Sequence, residues 1–176
     1  MRFFEAPLAG VFVIEIERLE DERGSFARTF CAEEFAAHGL ETGVLQSSVS
    51  FNRRRGTLRG LHWQAEPHAE VKVVRVTRGA VHDVVVDVRL GSPTLHESFG
   101  VRLDADTGRA LYIPAGFAHG FQTLDDDTEV GYQISAAYVP SAAHGLRYDD
   151  PALAIDWPEP VTVVSDRDRA HPFLGA

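Results

Sequence analysis

The chain has 176 residues, 44% of them hydrophobic, and a formal net charge of −9. That length supports a single domain over residues 1–176 with a sizeable core. The acidic balance argues against a nucleic-acid or membrane-surface role, because phosphate binding needs a basic face. The single cysteine, Cys31, excludes an intrachain disulfide and fits a reducing compartment.

Met1-Arg2-Phe3-Phe4-Glu5 lacks the apolar run of a signal peptide, and no later stretch is long enough to span a bilayer, so a cytoplasmic location is expected. Residues 11–16 are apolar and β-branched and read as a strand. After the turn Asp21-Glu22-Arg23-Gly24, residues 25–30 alternate and read as another. Residues 32–38 form the one clear helical piece. Glu33 and Glu34 lie in its first turn, where the helix dipole favours anions, and Gly39 stands at its end. From Gln46 onward the pattern is all β. The basic cluster Arg53-Arg54-Arg55 reads as a solvated turn, with a phosphate contact as the sharper alternative. Residues 71–76 and 81–88 around Arg78-Gly79 carry a hairpin signature. Residues 99–103 and 110–113 flank the turn 104–108, and residues 121–124 and 129–135 read as a pair around Asp125-Asp126-Asp127. Short strands at this spacing predict a mainly-β antiparallel barrel or jelly roll with a few short helices. The Pro- and Asp-rich region after Tyr138 is expected to wrap outside it.

Two segments place a histidine beside a glycine in a β-rich stretch: Arg59-Gly60-Leu61-His62-Trp63-Gln64 and Pro114-Ala115-Gly116-Phe117-Ala118-His119-Gly120. They resemble the two motifs of a cupin barrel. Many cupins bind a metal there through a His-x-His pair, a following Glu and the late His. Here Gln64 replaces the second His, and Lys72 lies downstream where a carboxylate would be wanted. An ammonium is no metal ligand at neutral pH, and two imidazoles with a neutral amide make a poor ligand set. No metal and no cofactor is therefore expected, and the residues suit proton chemistry instead.

Further segments extend the likeness from about residue 21 to residue 172. They are Arg23-Gly24-Ser25-Phe26, Leu58-Arg59-Gly60-Leu61-His62, Lys72-Val73-Val74-Arg75, Val84-Val85-Val86-Asp87-Val88-Arg89, Gly91-Ser92-Pro93-Thr94, Asp156-Trp157-Pro158 and Ser165-Asp166-Arg167-Asp168. On these the chain resembles the dTDP-4-dehydrorhamnose 3,5-epimerase family of nucleotide-sugar epimerases. The resemblance implies a cupin-type double-stranded β-helix, a homodimer that exchanges the early strands around Phe26, and a nucleoside-diphosphate 4-keto-6-deoxyhexose as substrate.

The chemistry is derivable on its own terms. A ketone at C4 acidifies the C–H bonds at C3 and C5. Removing one proton gives an enolate, and returning it to the opposite face inverts the carbon. The site needs a base, an acid across from it, and charge stabilisation at the ketone oxygen. His62 is the natural base, since an imidazole of pKa roughly 6.5 accepts a proton near neutrality. The resemblance gives Asp168 the role of orienting that histidine, Lys72 the enolate oxygen, and Tyr132 the returning proton. It places His119 near the sugar, Tyr138 on the nucleotide base, and Arg23 and Arg59 on the diphosphate, with Phe26, Gln46 and Arg167 as further substrate contacts. Three departures fall on the nucleotide side: Arg28 stands where the family has glutamate, Ser48 where it has asparagine, and Ala143 where it has a second glutamate. These leave open another nucleotide, inversion at C3 or C5 alone, a ketoisomerase, or a non-catalytic sugar-nucleotide-binding cupin.

Overall fold

Apolar residues at alternate positions decide which strand faces are buried, and in this chain they assemble two facing sheets. The computed structural model describes residues 1–175. In chain order it contains β1 (Arg2–Glu5), β2 (Phe12–Glu15), β3 (Arg18–Asp21), β4 (Gly24–Ala27), α1 (Ala32–Ala37), β5 (Gln46–Asn52), β6 (Leu58–Gln64), β7 (Lys72–Arg78) and β8 (Ala80–Asp87). There follow β9 (Ser98–Asp104), β10 (Ala110–Ile113), β11 (Phe117–Thr123), β12 (Thr128–Ile134), β13 (Ala143–Gly145) and α2 (Asp166–Arg169). One sheet has the order β1-β2-β10-β7-β12-β5, the other β13-β6-β11-β8-β9, and β3 and β4 form a separate hairpin. All these strand pairings are antiparallel.

The core between the sheets draws on both: Val74, Val76, Leu111, Ile113 and Val130 meet Val81, Val85, Leu103, Phe117 and Phe121. Each sheet is also covered outside. Helix α1 lays Phe35 against Val73, Ala110 and Tyr112 of the six-stranded sheet. The segment after Tyr138 brings Leu146, Leu153 and Trp157 against Leu61, Val86 and Ala118 of the other, as expected from its composition. Burial on both faces explains why β7 and β8 read as nearly continuous apolar runs, and why the polar side chains inside them stand out. Among the described residues no helix is long and apolar enough to cross a membrane.

The hairpin expected around Arg78-Gly79 is not a hairpin, and the strands expected to flank the two later turns do not pair with each other. β7 pairs with β10 and β12, whereas β8 pairs with β9 and β11. Likewise β9 and β10 belong to different sheets, as do β11 and β12. Each of these turns is a corner that carries the chain across the sandwich, which makes the fold a jelly roll. Alternation with period two is the same whether the next strand lies beside its predecessor or over it. Gly79 shows what a corner requires. Its φ is +74°, and a Cβ there would lie 2.5 Å from the Thr128 hydroxyl oxygen, so a residue without a side chain is needed.

Candidate active site

A cavity of about 720 Å³ opens between the sheets and is lined by both of them and by the C-terminal segment. Its position begins with two glycines. His62 on β6 sits directly opposite His119 on β11, next to a register shift between His119 and Phe121. Gly60 has φ +123°, and a Cβ on it would lie 2.5 Å from the Gly120 Cα and 2.8 Å from the His119 carbonyl oxygen. A Cβ on Gly120 would lie 2.7 Å from the Arg59 carbonyl oxygen. The glycines of the two motifs thus let the backbones touch, and this contact aims both imidazoles at one cavity.

His62 donates from Nε2 to Asp168 Oδ1 at 2.7 Å. The carboxylate comes from α2, where the Ser165 hydroxyl caps the helix by accepting the Asp168 amide at 3.0 Å. A parallel bridge between Thr57 and Val163 holds the incoming segment against the start of β6. Burial would raise the Asp168 carboxyl, but the bond and charge of His62, with the Gly60 amide and Ser165, hold it below the ordinary carboxylate range. With Nε2–H committed to Asp168, the neutral ring keeps its lone pair on Nδ1.

The facing wall is the six-stranded sheet. Tyr132 pairs with Ser48 and Val74, and Ile134 pairs with Gln46 and Lys72. Lys72 interrupts the apolar run because it turns into the cavity. There its buried ammonium pairs with Glu70 at 2.8 Å and donates to the His62 carbonyl oxygen at 3.3 Å. The Tyr132 ring packs edge-on against the His119 ring, centroids 6.1 Å apart. Burial, reinforced by the charge of Asp83 and opposed by Arg59, raises the Tyr132 hydroxyl far above the usual phenol range, so it holds its proton. His119 itself donates from Nε2 to Asp83 at 2.9 Å, both side chains being buried. Arg59, Arg167 and Tyr138 also line the cavity, and Arg59 is fixed by its bond to the buried Asn52 at 2.7 Å.

The structure therefore gathers His62, Lys72, Tyr132, Asp168, Gln46, Ser48, Arg59, His119, Tyr138 and Arg167 around one cavity. It does not bring Arg23, Phe26 or Arg28 there within the same chain. Arg23 folds back on Asp21, Phe26 stands 73% exposed on the β3–β4 hairpin, and Arg28 pairs with Glu34 at 2.9 Å. Ala143 pairs with Gln64 on β13 and does not line the cavity. The basic cluster is the solvated turn: Arg55 is tied to Glu159 and Asp126, away from the cavity. Gln64, at the cupin ligand position, is spent on structure. Its amide donates to the carbonyls of His68 and Ala137 and to Glu70, and accepts from the Val139 amide. With that amide occupied and the Lys72 ammonium beside it, the cupin ligand positions do not fit a metal.

Sequence reasoning missed Asp83, Glu70 and His171. Asp83 had a signal, a carboxylate inside the apolar run of β8. Glu70 lies just outside a strand and carried none. His171 lies in the tail, 3.9 Å from Asp168.

A family model described as dTDP-4-dehydrorhamnose 3,5-epimerase matches residues 5–175. The chain is 42% identical over 175 residues to an enzyme of that name from Sinorhizobium fredii, covering 99% of this chain and 90% of the relative. It superposes on the Bacillus anthracis epimerase with a TM-score of 0.95 at 36% identity, covering 98% of each chain. The Legionella pneumophila enzyme, solved in complex with dTDP-4-keto-L-rhamnose, gives 0.92 at 37% identity over 98% of this chain and 92% of that one. In sequence and in backbone the likeness thus runs over nearly the whole of this cupin-type jelly roll: the protein belongs to the dTDP-4-dehydrorhamnose 3,5-epimerase family.

Proposed function

We propose that the chain inverts C3 and C5 of a dTDP-linked 4-keto-6-deoxyhexose by removing a proton to form an enolate and returning one to the opposite face. The observation that carries this reading is the placement of the His62–Asp168 pair and Tyr132 on opposing sheets across one cavity. His62 Nδ1 takes the proton next to the ketone, and Asp168 stabilises the imidazolium that results. The bond electrons move to the ketone oxygen, where the Lys72 ammonium offers charge and a donor. Tyr132 gives its proton to the other face of the carbon and is restored from solvent. His119, anchored by Asp83, braces the phenol. The reaction moves protons only, so no redox or group-carrying cofactor is needed. Arg59 and Arg167 at the cavity suit the diphosphate. The dTDP-4-keto-L-rhamnose held by the Legionella relative supports this nucleotide and sugar.

The working unit in this reading is a homodimer. The β3–β4 hairpin leaves Leu19 71% and Phe26 73% exposed, and a second copy would cover them while adding Arg23 and Phe26 to the partner's cavity. Proton NMR in deuterated water with dTDP-4-keto-6-deoxyglucose tests the chemistry. Wild type is expected to incorporate deuterium at C3 and C5 with inversion. In Tyr132→Phe, exchange should outlast epimer formation. Equal loss of both in a folded variant would remove Tyr132 from the acid's role.

A further inference from the structure

The geometry points to a second ligand for this site: His62, Asp168 and His171 form a binding site for a divalent cation of the zinc class, which inhibits the enzyme rather than assisting it. One donor atom from each of the three residues lies within 4.8 Å of the others. His62 Nε2 and Asp168 Oδ1 are 2.7 Å apart, and His171 Nε2 and the same oxygen are 3.9 Å apart. Zinc bonds of about 2.0–2.2 Å at tetrahedral angles set donor atoms about 3.3–3.6 Å apart, between those two spacings. Side-chain shifts of less than about 1 Å would close the shell. Two imidazoles and a carboxylate are an ordinary zinc ligand set, which leaves a fourth position for water.

His171 supplies an independent observation. Its Nε2 is buried and has no hydrogen-bond partner. The ring is also wedged into place by the fold. Its edge, Nε2 foremost, fills the place where a Cβ on Gly145 would stand, and Gly145 pairs with His62 across β13 and β6. The rings of His62 and His171 are 5.7 Å apart and meet edge-on. Nothing in the proton chemistry uses His171. The site shares only His62 with the cupin ligand positions, and draws its other two donors from the C-terminal segment.

The consequence follows from the tautomer. A cation on Nε2 takes that lone pair and forces the ring proton onto Nδ1, the nitrogen that must accept the substrate's proton. The inhibitory step rests on the role of His62 proposed above; the binding site does not.

Calorimetry with zinc chloride on metal-free protein tests the binding. One equivalent per chain is expected, weakened at least about tenfold in His171→Asn, with no comparable heat from magnesium, which prefers oxygen ligands. Metal-free His171→Asn should keep its turnover, and zinc should inhibit wild type in step with binding. Equal heats from both proteins would assign the zinc to surface histidines and overturn the site, as would no heat at all. Should the variant not fold, anomalous diffraction from zinc-soaked wild-type crystals decides: a peak within bonding distance of all three donors supports the site, and peaks only elsewhere overturn it. Zinc binding that depends on His171 but leaves turnover intact would uphold the site and remove His62 from the base's role.

Discussion

Two histidine–carboxylate pairs face one cavity, and they differ in how they are built. His62–Asp168 spans 2.7 Å, with the imidazole 40% exposed and the carboxylate delivered by a tail 106 residues downstream. His119–Asp83 spans 2.9 Å, lies wholly inside, and joins neighbouring strands of one sheet. The bond is nearly the same, but the surroundings assign different work. An imidazole open to the cavity exchanges protons with a substrate. One sealed against a buried carboxylate holds its own orientation and that of the tyrosine packed on it. Breaking the second pair should therefore damage the fold, and breaking the first should damage the chemistry.

The largest expected effect is on the sealed pair. Asp83→Ala leaves His119 without its partner inside the core and should cost about 3–5 kcal/mol of stability. Urea unfolding measures it. A loss within about 0.5 kcal/mol of wild type, the range of ordinary surface changes, would mean that water or a neighbour replaces the carboxylate and that the pair does not brace the barrel. Next comes the open pair. His62→Asn should lower turnover by about a hundredfold or more, equivalent to about 2.7 kcal/mol of barrier, while the melting temperature stays near wild type. A folded His62→Asn that still exchanges both protons at near wild-type rate would collapse the distinction between the two pairs.

The same contrast marks what the sequence could reveal. Strand positions, the helix at Ala32–Ala37 and the outer tail were legible because burial writes itself as periodicity. The corners at Gly79, at residues 104–108 and at Asp125-Asp126-Asp127 were not, since period two records which face is buried and not which sheet a strand joins. Lys72 and Asp83 were both polar breaks in apolar strands. Only Lys72 was singled out, because the family likeness drew attention to it. Asp168 reaches His62 from across the chain, and no local pattern announces that contact; the likeness supplied it. His171 had neither a periodicity nor a motif, and only the packing against Gly145 reveals that its ring is held.

The smallest effect concerns the residues outside both pairs. Arg28 and Ala143 stand where the family has glutamates, and in the sequence these departures left another nucleotide open. The structure gives Arg28 a partner of its own in Glu34 and puts Ala143 on β13 away from the cavity. Exposed ion pairs of this kind add little to stability. Glu34 is moreover held below the ordinary carboxylate range, first by the N-terminal amine of Met1 and then by Arg28, so it keeps a cationic neighbour when Arg28 is lost. Arg28→Glu with Ala143→Glu should therefore leave the melting temperature near wild type and change the dTDP dissociation constant by less than about threefold. Calorimetry with dTDP, CDP, GDP and UDP on both proteins checks this. A gain of about tenfold or more for dTDP would show that the two positions reach a nucleotide after all. The route would then run through a hairpin seated in a second copy, which makes the open pair of one chain dependent on the outskirts of another.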